Sequence, residues 1–247
     1  MIKILTHAFI VVLLTLISQL GGLAWLIALS FRHRILIFVT AYAALSVSTL
    51  WIAPMLGREP IPCFSGDILQ MQSKVYCVLN RQYVVPELKD VLTDYATRME
   101  KDFRDTKTMV LDANFPFVSG FPLLPHLSHD DGRKVDLAFY YTGNDAYLPG
   151  VTKSPIGYFA FEEGPSDCPD NVITLRWDLA WLQTLWPIYK PETLRMKAAL
   201  KWLGTDSRVS KIFIEPHLKA RFNAQSEKVR FQGCCAARHD DHIHIQL

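Results

Sequence analysis

No side chain carries a formal charge between Ala8 and Phe31 or between Ile35 and Leu56, and only Arg32-His33-Arg34 separates the two runs. Stretches this long and apolar cannot be hidden inside a small soluble core, so they restrict the fold before any motif is considered. As a helix rising about 1.5 Å per residue, the first run would extend about 36 Å, which exceeds the roughly 30 Å hydrocarbon core of a bilayer. The second run is also long enough. The sequence thus predicts a transmembrane hairpin with helices over about 8–31 and 35–56. A secretory leader is the competing reading of Lys3 followed by apolar residues. Leader cores, however, run to about 7–15 residues, and no small-residue cleavage pattern precedes the second run. The Arg32/Arg34 turn belongs in the cytoplasm by the positive-inside rule, with everything after Leu56 on the outer side; Lys3 opposes this weakly. Gly21-Gly22 with Ser18 would permit close helix packing.

Residues 1–60 therefore form an expected anchor and 61–247 a folded domain large enough to bury one ordinary core. Half of the 247 residues are hydrophobic, which the first 56 positions explain, and the net charge is +2. So small a net charge gives no extended basic field, and nucleic acid is not an expected partner. Gly57 to Pro62 reads as a linker. Pro86 suits a first helical position, and Leu88, Val91, Leu92, Tyr95 and Met99 recur at helical spacing as a core-facing stripe. Gly143 to Asp170 reads as a long loop with a short strand at Tyr158 to Phe161. Beyond it come a strand at Val172 to Leu175, a helix at Trp177 to Trp186, a helix at Pro191 to Leu203 stopped by Gly204, and a strand at Val209 to Glu215. Trp177, Trp181 and Trp186 read as packing residues.

The five cysteines, at 63, 77, 168, 234 and 235, all follow the apolar runs. An oxidising compartment would let them pair, and an odd number leaves at least one free. Cys63 with Cys77, or Cys168 with one of the adjacent Cys234 and Cys235, are the more plausible bridges; spacing does not fix the connectivity.

The chain's chemistry concentrates at its end, His239-Asp240-Asp241-His242-Ile243-His244-Ile245-Gln246-Leu247. In a strand, alternate side chains share a face, so His242 and His244 point one way while Ile243 and Ile245 point into the core. A second cluster, Pro125-His126-Leu127-Ser128-His129-Asp130-Asp131-Gly132-Arg133-Lys134-Val135-Asp136, leads into the strand-like Leu137 to Tyr141. Two imidazoles and a carboxylate around an open position form a catalytic zinc arrangement, because the fourth position can hold a water whose pKa falls to about 7. Neither cluster supplies that set alone. His217, after a strand and a proline, reads as a loop or capping residue, and His7 and His33 sit at the edges of the apolar runs.

Taken together, His129, Asp136 six residues further on, and the late His242-Ile243-His244 resemble the LAS metallopeptidases of peptidoglycan. The ending His239-Asp240-Asp241-His242-Ile243-His244-Ile245 is most similar to that of the penicillin-insensitive murein endopeptidases. The carboxypeptidase and dipeptidase branch usually has Glu where this chain has His239. Val209 to Lys219 resembles the family's strand-Pro-helix segment, and the likeness covers roughly 105–247. It implies an α+β domain with a small, mainly antiparallel sheet carrying a zinc ion on His129, Asp136 and His244. It also implies that His242 stabilises a developing oxyanion or passes a proton, and that His239 and His126 are further active-site histidines. Asp240 and Asp241 would orient those rings. The chain departs from the family in ending three residues after His244, in Ile243 where an aromatic is typical, and in the charged run Asp130 to Val135.

The expected activity is a membrane-anchored, zinc-dependent endopeptidase acting on peptidoglycan peptides outside a bacterial inner membrane. A D,D-carboxypeptidase or dipeptidase with the same metal site, or a non-catalytic wall-binding module, is the alternative.

Overall fold

In the computed structural model, residues 1–64, 67–124, 126–166, 168–169, 176 and 180–247 are described. The chain opens with α1 (Ile2–Ser18), α2 (Gly21–Leu29) and α3 (Arg34–Met55). Of these, α3 is long and apolar enough to cross a membrane, whereas α1 is apolar but shorter. The expected helix over 8–31 is not continuous. Gln19 takes a positive φ of 58° and ends α1. The glycines after it let α2 fold back onto α1: a Cβ on Gly22 would lie 1.9 Å from Thr15 Oγ1, and one on Gly21 would lie 2.8 Å from the Leu14 carbonyl oxygen.

One stripe of α3 faces the rest of the protein. Tyr42 Oη donates to the Val78 carbonyl (2.6 Å), Asn80 Nδ2 donates to Tyr42 Oη and Ser46 Oγ (both 3.1 Å), and Thr49 pairs with Tyr83 through their hydroxyls. With the buried Ala53, these positions fall at helical spacing on one side. The opposite side, including Leu36, Val47, Trp51 and Met55, is exposed.

The domain then runs β1 (Glu59–Pro60), β2 (Leu69–Met71), α4 (Lys74–Val78), β3 (Tyr83–Val84), α5 (Pro86–Asp102), β4 (Thr108–Asp112), β5 (Lys134–Ala138), β6 (Tyr141–Gly143) and β7 (Ala146–Tyr147). It continues with α6 (Ala180–Gln183), β8 (Lys190–Pro191), α7 (Thr193–Thr205), β9 (Lys211–Phe213), α8 (Pro216–Arg221), β10 (Val229–Arg230) and β11 (His242–Gln246). The class is α+β. The main sheet has the order β10-β9-β11-β5-β4-β2 and is mixed: its three central pairings are antiparallel, and the outer ones, β10 with β9 and β2 with β4, are parallel.

α5 begins on Pro86 and buries Leu88, Val91, Leu92, Tyr95, Ala96 and Met99, the stripe its periodicity specifies plus one alanine. These residues join one core with Ile212, Ile243 and Ile245 of the sheet. α7 starts later than expected, at Thr193, because the Glu192 carboxylate caps it by accepting from the Arg195 amide (2.6 Å). Gly204 lies inside α7 instead of ending it; a Cβ there would come within 2.6 Å of Ser226.

The strand expected at Tyr158 to Phe161 is absent, since Phe159 adopts a φ of 70°, outside extended geometry. The strand expected at 172–175 lies outside the described residues. Of the helix expected over 177–186, α6 covers Ala180–Gln183, while 177–179 are likewise outside. Trp181 is exposed, against the packing role expected of it. Disulfides join Cys63 to Cys77 and Cys168 to Cys234, leaving Cys235 as an exposed thiol.

Candidate metal centre

Asp136 and His244 lie directly opposite each other on β5 and β11, and Phe213 of β9 lies opposite His244 on the other side. Facing residues on adjacent antiparallel strands share one face, so the ladder itself delivers carboxylate to imidazole. The alternation expected of β11 is present: Ile243 and Ile245 are fully buried in the core, and His242 and His244 stand on the other face. His129 reaches them from the loop before β5.

His129 Nε2 lies 3.3 Å from Asp136 Oδ1 and 3.2 Å from His244 Nδ1, and His244 Nδ1 lies 2.7 Å from Asp136 Oδ1. Tetrahedral zinc with donors at 2.0–2.1 Å holds neighbouring donor atoms roughly 3.3 Å apart. Two of the three separations already match, and the third is a hydrogen bond that a cation would open. All three side chains are buried, and this trio can hold a metal ion. The donor set of imidazole and carboxylate suits zinc, among other divalent ions.

The surrounding bonds prepare the donors. His129 Nδ1 lies 2.9 Å from the Ala113 carbonyl, which can only accept, so Nδ1 carries the hydrogen and Nε2 turns its lone pair to the centre. The far nitrogen of His244 accepts from Gln246 Nε2 (3.0 Å), so among the side chains alone its Nδ1 carries the hydrogen and donates it to Asp136 Oδ1 (2.7 Å), a proton that a metal ion would have to displace. Tyr158 Oη donates to Asp136 Oδ2 (2.7 Å). The unusual φ of Phe159 accompanies this contact, and its amide donates to Asp241 Oδ2 (2.6 Å).

The remaining predicted residues gather round the trio. His242 Nε2 is 3.7 Å from Asp136 Oδ1, and its Nδ1 is bonded to Asp241. The ring of His239 lies 4.9 Å from that of His242 and 5.5 Å from that of His244. His126 Nδ1 bonds Asp112 Oδ2 at 2.9 Å and lies 3.3 Å from Asp136 Oδ2. Of the two terminal aspartates only Asp241 orients a ring, because Asp240 pairs with Arg238 instead. His217 lies in the first turn of α8, packed against Gly164, rather than in a loop or at the cap, which is Glu215.

Burial would raise the Asp136 carboxyl, but His129 and His242 beside it hold it well below the ordinary value. His242 is pushed up to about 9, because Asp136 and Asp241 outweigh the burial that would lower it. His129 is also raised, because Asp136 and Asp112 outweigh its burial, whereas burial dominates at two other rings: His244 falls to about 4, and His239 lies well below the ordinary value, lowered also by His242 and His244. Among the side chains alone, Asp136 therefore favours the charged form of His129 and of His242, while burial favours the neutral form of His239 and His244.

Asp112, Arg81, Tyr158 and Gln246 escaped sequence reasoning. Asp112, His126 and His129 also lie close enough to hold an ion. Asp112, however, is already engaged by Arg81, whose Nε donates to Oδ1 (2.9 Å) and whose Nη2 donates to Oδ2, while Nη1 donates to the Leu124 carbonyl (2.7 Å). The ladder slips between Val110 and Asp112, and this irregularity places Asp112 under His126. The pair thus serves to orient His126, which leaves His129, Asp136 and His244 as the better metal site.

The chain matches no protein-family model and no curated protein sequence.

Proposed function

We propose that the protein is a membrane-anchored zinc peptidase that hydrolyses an amide bond of peptidoglycan peptides, at a cross-link. The observation that carries this reading is the convergence of His129, Asp136 and His244 on one buried point, with His242 Nε2 3.7 Å from the shared carboxylate. Zinc held there would polarise the scissile carbonyl and acidify a water.

The chain's own groups divide the remaining work. His242, oriented by Asp241, is placed to hydrogen-bond an oxyanion or, when protonated, to give a proton from Nε2 to the leaving amine. His239, buried beside it, can accept a hydrogen bond. His126, oriented through Nδ1 by Asp112, presents its other nitrogen as a second polar contact. Tyr158 and Asp241 fix the carboxylate and imidazole geometry.

The length and apolarity of α3 and the Arg32/Arg34 turn support an anchor with the domain outside the cytoplasm. Two disulfides are consistent with an oxidising compartment. The similarity to the murein endopeptidase ending supports the substrate class. Incubating the full chain, in detergent and loaded with zinc, with cross-linked muropeptides tests the proposal. Conversion of dimers to monomers is expected. Release of D-alanine alone would reassign it as a carboxypeptidase, and intact amides would leave a binding module.

A further inference from the structure

Of the three residues brought to the metal centre, His129 alone does not lie on a strand. Asp136 and His244 are pinned by the β5–β11 ladder, whereas the place of His129 depends on what holds its loop. Chain segments 117–120 and 130–132 form the neck of that loop, joined by the Gly120 amide donating to the Asp130 carbonyl (2.8 Å), and His126 and His129 lie within it.

Both sides of the neck are gripped from the N-terminal helices. Gln19, in the break between α1 and α2, donates from Nε2 to the Val118 carbonyl and accepts at Oε1 from the Phe117 amide, each at 3.3 Å. Arg58, just past α3 and buried, donates from Nη2 to Ser119 Oγ (2.8 Å) and from Nη1 to the Asp131 carbonyl. The fit is close: Gly132 has a φ of 81°, and a Cβ there would lie 1.6 Å from Arg58 Nη1. Gly132 is held from behind as well, donating to Asn114 Oδ1 (3.0 Å) and accepting from the Val85 amide (2.9 Å).

We propose that Gln19 and Arg58 are positioning residues for the metal centre, so that the anchor helices fix His129 in place as well as tether the domain. This rests on the reading of His129, Asp136 and His244 as metal ligands. A guanidinium reaches both sides of the neck with one rigid fork, which a lysine ammonium cannot reproduce. Losing it leaves the two strand-borne donors in place and loosens the third, which then depends on its Nδ1 bond to the Ala113 carbonyl and on the remaining bonds of the neck.

The test compares full chains in detergent by competition with a chromophoric zinc chelator and by X-ray absorption at the zinc edge. Arg58→Ala is expected to bind zinc about 10- to 100-fold more weakly, the range for losing a group that orients a ligand. Its zinc should also lose one imidazole from the coordination shell, with Arg58→Lys intermediate. Arg98→Ala, which removes an exposed ion pair on α5, should match wild type. Gln19→Leu disturbs the neck without touching a buried charge and should weaken binding several-fold even if Arg58→Ala fails to fold. Wild-type affinity and two imidazoles in both Arg58→Ala and Gln19→Leu would overturn the inference while leaving the metal site standing. A wild-type chain that binds no zinc would overturn both.

Discussion

Replacing Arg81 with methionine removes the guanidinium that neutralises a fully buried carboxylate. Asp112 has no exposed surface, and its side chain would retain only the Ala113 amide (3.1 Å) and His126 (2.9 Å) as partners. Breaking a buried ion pair by deleting one member costs about 3–5 kcal/mol, because the surviving charge stays desolvated. For a domain of this size that lowers Tm by about 6–20 °C. The pH dependence has a definite sign. In the wild type, Arg81 and His126 outweigh burial and hold Asp112 below its ordinary value. The pair therefore contributes stability above the unfolded carboxyl pKa of about 3.9, and that contribution is lost as pH falls through the folded value. Without Arg81, burial dominates and raises the Asp112 pKa, so the variant regains stability as acid neutralises the carboxylate. Thermal unfolding of the full chain, followed by circular dichroism at pH 7.5 and pH 5, should give a smaller deficit at pH 5. Arg81→Met/Asp112→Leu, which removes both partners, should recover most of the loss. A single variant within 1 °C of wild type, or a double variant no better than the single, would refute the reasoning.

Other outcomes follow from the same geometry. Asp136→Ala and His244→Ala should each abolish zinc binding and hydrolysis while membrane insertion is retained, as read by metal content and membrane fractionation. Tyr158→Phe, which deletes the hydroxyl on Asp136 Oδ2, should weaken zinc affinity or activity about 10- to 100-fold with little change in Tm. Gly132→Ala must displace Arg58 and strain a left-handed backbone, so a loss of at least about 1–3 kcal/mol is expected in denaturant unfolding.

Much of this site is legible in the sequence because it is written in strand alternation. His242 and His244 flank Ile243, and the ladder on which they lie does the rest. His126 and His129 are legible by type, though nothing in their spacing shows that the Ala113 carbonyl sets the tautomer of His129. Arg81 and Asp112 are thirty-one positions apart and meet only through tertiary folding, so no local pattern announces them. The parallel edges of the sheet are not legible, because β2 and β10 are short strands set by long-range pairing. Hydropathy makes the first apolar run look like one helix, since it has no term for the Gln19 side chain, whose bonds to Phe117 and Val118 accompany the break. Phe159 likewise looks like a strand residue, yet its positive φ accompanies the approach of Tyr158 to Asp136.

The most direct measurement is metal content together with X-ray absorption on the purified full chain and its Asp136→Ala and His217→Ala variants. The account predicts about one zinc per wild-type chain, bound by two imidazole nitrogens and a carboxylate oxygen at about 2.0–2.1 Å. It also predicts loss of zinc in Asp136→Ala and retention in His217→Ala. Zinc bound equally well by Asp136→Ala, or a wild-type chain that takes up none, would contradict it.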